Sequence, residues 1–286
     1  MPRVVLISGL IPYDSGKTWF TLSSALYARS LGLKVKVFKP VAGHNLWYSP
    51  RTIKRSVNVG LLLGNDATMY YENSLMDDPA IGNPMAIATT PPDPLFYNKN
   101  IEAYLTDIES VYASTVVSRI TDCSSKVIKH YYYPENLEKT PTLIRKAIKK
   151  LISVLRAEKS SVSELIKYLE SVDSERNINM CLNILQRSGD LVFVESFNDA
   201  ISPCLSLLNN LDAIVIVAPG RVLVYWDVNT VRNVVIEQVK RHGWEGLRAR
   251  RVVANVTAQL TLSIGLVTKP RPQSAHVKFV SELLKA

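Results

Sequence analysis

The chain has 286 residues, 47% of them hydrophobic, with 34 Lys and Arg against 25 Asp and Glu for a net charge of +9. That length accommodates one large α/β domain or two small ones with ample core, and the positive balance favours an anionic partner. No run approaches the ~18 apolar residues of a membrane-spanning helix, and the basic residues cluster only around 145–150 and 248–251 with no zinc-finger or RNP-type signature, so membrane and nucleic acid are both argued against.

The first element is the apolar run Val4 to Ile7, the pattern of a strand covered on both faces; at the chain's start it is too short for a signal peptide. A loop of turn formers follows, and Gly16-Lys17-Thr18 then opens a helix over 18–30 in which Trp19, Leu22 and Leu26 recur at helical spacing. Strand, loop and helix in that order read as a phosphate-binding loop. A bound phosphate calls for backbone N–H donors at a helix N-terminus, an ammonium, and a hydroxyl on the accompanying metal ion. Ser15 and Gly16 bring the backbone close, Lys17 is the cation, and Thr18 is the expected Mg²⁺ ligand. Six residues separate Gly9 from Gly16, against four in the standard G-x-x-x-x-G-K-[ST] spacing.

A second strand over 34–38 follows Gly32 and ends in the turn Lys39-Pro40-Val41-Ala42-Gly43-His44. Ligands of open α/β sheets sit at the carboxyl ends of strands, so Lys39 should face the crevice of Lys17, while His44 reads as a solvent-facing turn residue. Residues 51–59 read as a loop or lid. A helix starts at 67–71 with Asn65 or Asp66 at its cap, and Asp66 is both an ordinary cap and a candidate metal ligand. Asn83-Pro84 and the proline-rich 89–94 read as a long surface loop.

From about 100 to 188 the pattern is mainly helical, over 101–120, 142–156, 163–171 and 178–187, and reads as an insertion. The sheet resumes at 190–196, where Glu195 stands at the carboxyl end of a buried strand, the place from which a carboxylate reaches the Mg²⁺ of a bound nucleotide. Another strand over 213–218 and a helix over 227–242 follow. Residues 251–255 read as a strand with Asn255 at its end, either reading a base edge or forming a turn. A last strand over 262–267 and a helix over 275–284 close a doubly wound, mostly parallel α/β sheet of P-loop type in one domain. Cys123, Cys181 and Cys204, odd in number and without CxxC pairing, read as buried reduced thiols of a cytoplasmic protein.

These stations together resemble dethiobiotin synthetase and its relatives among the P-loop ATPases. The resemblance is carried by Lys39-Pro40-Val41-Ala42, Asn65-Asp66-Ala67, Asn83-Pro84, Val194-Glu195, Asn229-Thr230 and Val253-Ala254-Asn255, in the family's order. It implies Mg²⁺ held by Thr18, Asp66 and Glu195, ATP phosphates on the loop with Lys17 and Lys39, adenine read by Asn255, and a homodimer. The family's reaction phosphorylates a carbamate, which a neighbouring amine then attacks. This chain departs from the family in its longer loop, in Gly43-His44, and in Ser196-Phe197-Asn198-Asp199 where the family has a glycine-rich run. The expected function is a Mg·ATP-dependent ligase acting on a small-molecule carboxylate or carbamate. The alternatives are a switch ATPase acting on a protein partner, disfavoured by the lack of a lysine between Gly9 and Gly16, and a nucleotide-binding scaffold. No Asn-Lys-x-Asp guanine signature follows the late strands, which favours ATP over GTP.

Overall fold

The computed structural model describes residues 2–285. The strands are β1 (Arg3–Gly9), β2 (Val35–Phe38), β3 (Val41–Asn45), β4 (Met85–Thr89), β5 (Thr115–Asp122), β6 (Val127–Tyr132), β7 (Glu158–Lys159), β8 (Leu191–Glu195), β9 (Ala213–Ala218), β10 (Arg221–Tyr225) and β11 (Leu260–Ser263). The helices are α1 (Lys17–Ser30), α2 (Arg51–Val59), α3 (Asn65–Glu72), α4 (Pro79–Gly82), α5 (Ile101–Glu109), α6 (Val111–Ser114), α7 (Pro134–Lys139), α8 (Thr142–Leu155), α9 (Val162–Leu169), α10 (Val172–Gln186), α11 (Val228–His242), α12 (Ala249–Asn255) and α13 (Ser274–Lys285). The chain forms two compact α/β units: the first takes residues up to Pro40, Tyr70–Asp77 and those from Leu182 onward; the second takes Val41–Met69 and Asp78–Cys181.

The first unit is built on a six-stranded sheet in the order β11-β10-β9-β1-β8-β2. The strands β9, β1, β8 and β2 are parallel, and β9, β1 and β8, buried within the sheet, carry apolar runs because both of their faces are covered. The outer strands β10 and β11 pair antiparallel, so the sheet is mixed. Register sets Ile7 beside Glu195 and Gly9 beside Val217, which brings the carboxyl ends of β1, β8 and β9 side by side. Over this sheet α1 meets α13 through Phe20 and Phe279, whose rings are 5.5 Å apart.

The second unit has its own five-stranded sheet, β3-β4-β5-β6-β7, parallel at its outer pairs and antiparallel within. One face packs Ala86, Ala88 and Val117 against Leu46, Leu62 and the α8 residues Ile144, Ile148 and Leu151. The spacing of those α8 residues is the apolar stripe of a helix laid on a sheet.

The second sheet corrects several expectations. The segment after Lys39-Pro40 is the strand β3, not a turn, because Val41 to Asn45 pair along β4. The passage bounded by Pro84 and Pro91 holds β4, since the prolines flank the ladder rather than interrupt it. Residues 51–59 form α2, with Thr52 and Ser56 buried and a left-handed Gly60 as its stop, not a loop. The expected helix over 101–120 stops at Ser114, where Thr115, Val116 and Val117 turn the chain into β5; β-branched side chains suit a pleated sheet better than a helix. The stretch from 100 to 188 is therefore not simply helical: it carries β5, β6 and β7.

In the first unit residues 251–255 lie in helix α12, with Ala249 and Val252 buried at helical spacing, rather than in a strand. The last strand ends at Ser263. The expectation of three reduced thiols is corrected as well: Cys123 and Cys181 are joined in a disulfide, their Cα atoms 5.4 Å apart, while Cys204 is buried outside that disulfide, with its sulfur 3.7 Å from Ser206 Oγ. Spacing along the chain could not show this pair, because β5 and α10 bring together residues 58 positions apart. Among the described residues no helix is long and apolar enough to cross a membrane.

Candidate functional site

The loop between β1 and α1 has a backbone that its residue types dictate. At Gly9 a Cβ would come within 2.5 Å of Ser15 Oγ and 3.1 Å of the Ile11 carbonyl oxygen, so glycine alone lets the loop fold back over the strand end. The N–H of Leu10 donates to Val217 O at 2.9 Å and ties the loop to β9. Asp14 and Gly16 take the left-handed conformation, at φ 53° and 87°, on either side of Ser15. Left-handed residues curl the backbone in the way that aims successive N–H groups at an anion.

Gly16 is the N-cap of α1 and offers no side-chain acceptor, and the helix carries no acidic residue in its first turn. The positive end of its dipole is therefore not offset by a capping side chain or an acid of the helix itself. Ser15 is buried, and its Oγ has no hydrogen-bond partner among the described residues. A buried hydroxyl in that position costs stability unless a ligand or water completes it. Lys17 is half-buried in the first turn of the helix.

Beside the loop, Glu195 closes β8 and is 0% exposed. Thr18 Oγ1 donates to its Oε1 at 3.0 Å, and Lys39 Nζ donates to the same oxygen at 2.5 Å and to Ser196 O at 3.1 Å. The hydroxyl of Tyr70, in the part of α3 that belongs to the first unit, donates to the other oxygen, Oε2. Three donors thus hold one buried carboxylate, the condition under which such a charge is tolerated out of water.

The structure brings Ser15, Gly16, Lys17, Thr18, Lys39 and Glu195 into the first unit. Lys39 differs from expectation in its partner: it is 3% exposed and turned to Glu195. Thr18 and Glu195 are the pair able to hold a cation, a hydroxyl and a carboxylate in contact, which suits an ion that keeps most of its ligands as water and phosphate. Among the described residues no group of three or more His, Cys, Asp and Glu is gathered as a metal cage. Asp66 opens the first turn of α3 in the second unit, where its charge acts on His44.

Asn255 is not at a strand end. It is exposed in the last turn of α12, with its amide donating to Arg251 O at 2.7 Å. His44 is not a solvent-facing turn residue either: it sits on β3 and is 8% exposed. Burial pushes its pKa down to about 4 against the opposing pull of Asp66, with Arg119 adding to the depression. Tyr70 escaped the sequence reading because a tyrosine in a helix turn carries no mark of the hydroxyl's partner. Compared with protein-family models, with curated proteins and with solved structures, the chain gives no match.

Proposed function

We propose that the chain binds Mg·ATP on the loop between β1 and α1 and transfers the γ-phosphoryl group to a carboxylate or carbamate of a small molecule, activating it for attack by an amine. The observation that carries the nucleotide half is the loop itself: Ser15 Oγ buried without a partner, a side-chain-free cap at Gly16, and Thr18 Oγ1 against Glu195 Oε1 at 3.0 Å. The acceptor half, and the homodimer that goes with it, rest on the resemblance to dethiobiotin synthetase alone.

In this reading the loop amides orient the phosphates and Lys17 offsets their charge. Thr18 and Glu195 hold Mg²⁺, which when bound neutralises charge on the β and γ oxygens. Lys39 and Tyr70 fix the Glu195 carboxylate from its two oxygens. A second reading, a switch ATPase acting on a protein partner, is favoured by the exposed Ile11 and Tyr13 on the loop, Tyr13 being 69% exposed.

Isothermal titration with ATP and a nonhydrolysable analogue, with and without Mg²⁺, tests the nucleotide half. Binding that needs Mg²⁺ and is lost in Lys17→Ala and weakened in Thr18→Ala supports it; no binding at millimolar nucleotide overturns it. Turnover with amine-bearing carboxylates then separates the ligase from the switch, which would give nucleotide-dependent partner binding and no product.

A further inference from the structure

Arg119 sits on β5, the middle strand of the sheet of the second unit, and is 0% exposed. Register places Ala86 of β4 on one side of it and His130 of β6 on the other. Alternation along the strands puts Ala42, His44, Ala88 and Thr121 on the same face. Two histidines and an arginine therefore share a buried face with Ala42, Ala86, Ala88 and Val117, the last three of which also pack in the apolar cluster under α8.

The polar groups on this face are incompletely paired. Arg119 uses one nitrogen, Nη2, which donates to Asn83 O, to Asn83 Oδ1 at 3.1 Å and to Pro79 O at 3.5 Å. Its Nε and Nη1, both ring nitrogens of His44 and the Oγ1 of Thr121 are buried and have no partner among the described residues. His130 is occupied, accepting from Leu62 N–H at 3.2 Å. Among the described residues no carboxylate hydrogen-bonds the guanidinium. Asp78, the acid that acts on it, accepts from Ala80 N–H at 2.8 Å as the cap of α4. A buried charge without a contacting counter-ion is strongly unfavourable, and a buried guanidinium with two idle donors is the arrangement that an oxyanion completes.

We propose that the face around Arg119 is a binding site for a small oxyanion, with Nε and Nη1 of Arg119 as its charged donors and His44 and Thr121 as neutral ones. Burial keeps the His44 ring neutral near pH 7, so it donates from one nitrogen, and the positive charge of the site comes from Arg119. Carboxylates and phosphate share this donor requirement. The site lies within the second unit and does not depend on the nucleotide reading.

The test is the unfolding midpoint of the full chain in acetate, in phosphate and in chloride at matched ionic strength and pH 7. Because the donors are sealed from solvent, the anion is present during refolding from urea. Wild type is measured beside Lys17→Ala, Arg119→Met and His44→Leu. A midpoint that rises with the logarithm of acetate or phosphate concentration relative to chloride, survives Lys17→Ala, and is lost in Arg119→Met and reduced in His44→Leu supports the site. The stronger of the two anions tells carboxylate from phosphate. Equal midpoints of the wild type in all three salts overturn the proposal, and so does a rise that persists in Arg119→Met, which would be a general salt effect. If Arg119→Met does not fold, the wild-type and His44→Leu arms still decide.

Discussion

The Glu195 carboxylate is where single side chains matter most, because three donors converge on a group with no access to water. Removing Lys39 leaves that charge short of its ammonium, and breaking a buried pair from one side costs about 3–5 kcal/mol. Lys39→Met is therefore expected to lower the urea midpoint sharply. Thr18 and Lys39 meet the same oxygen, so an added divalent cation at that oxygen competes with the ammonium. Mg²⁺ should accordingly stabilise Lys39→Met more than it stabilises wild type, and an equal Mg²⁺ effect in the two proteins would remove Glu195 from the metal site. Tyr70→Phe, which loses one hydrogen bond and little volume, should cost about 1–3 kcal/mol. Through the orientation of the carboxylate it should also weaken Mg²⁺-dependent nucleotide binding by roughly 10- to 100-fold, leaving Mg²⁺-free binding unchanged in the same titration.

At the scale of elements, the β1–α1 loop depends on backbone that only glycine adopts without strain. Gly16 has φ 87°, and a side chain there costs about 1–2 kcal/mol, so Gly16→Ala should lower stability by that much while its α1 remains helical by circular dichroism. The elements of this unit were legible in the sequence for a physical reason: β1, β8 and β9 are covered on both faces and spell unbroken apolar runs, and Gly16 and Gly243 mark helix ends. The second sheet was not legible. Its strands carry Gly43 and His44 in β3, Ala86 and Ala88 in β4, and Ser118 and Arg119 in β5, which break the alternation that announces a strand. In α12 the short run Val252-Val253-Ala254 fits a strand or a helix equally, and only packing of Ala249 and Val252 decides. The Glu195 end of the site could be read because an acid closes an apolar run; its donor Tyr70 could not. The Cys123–Cys181 bond, closing 58 residues between β5 and α10, is expected to contribute about 2–4 kcal/mol, so Cys181→Ser should lose that much stability under oxidising conditions and nothing further when reductant is added.

For the whole molecule the net charge of +9 matters less than where its titrating groups are buried. His44 and His130 in the second unit and His276 in the first all have pKa values pushed from 6.5 to about 4, chiefly by burial. Arg119 adds to the depression at His44 and His130, while Asp66 opposes it at His44; at His276 the Gln273 backbone bond opposes it. Each ring is neutral when folded and takes a proton near pH 6.5 when unfolded, so between those two values the unfolded state binds more protons. Acid therefore favours unfolding: the penalty is absent above about pH 6.5, grows by up to about 1.4 kcal/mol per pH unit for each histidine, and levels off below about pH 4. With two such histidines against one, the second unit should lose stability about twice as steeply as the first from these groups. Hydrogen exchange read unit by unit between pH 7 and pH 4.5 measures this directly. His276→Leu should flatten the first unit's profile and leave the second unit's slope unchanged; a profile that stays level down to pH 4.5 in the wild type would mean that the rings titrate alike in both states.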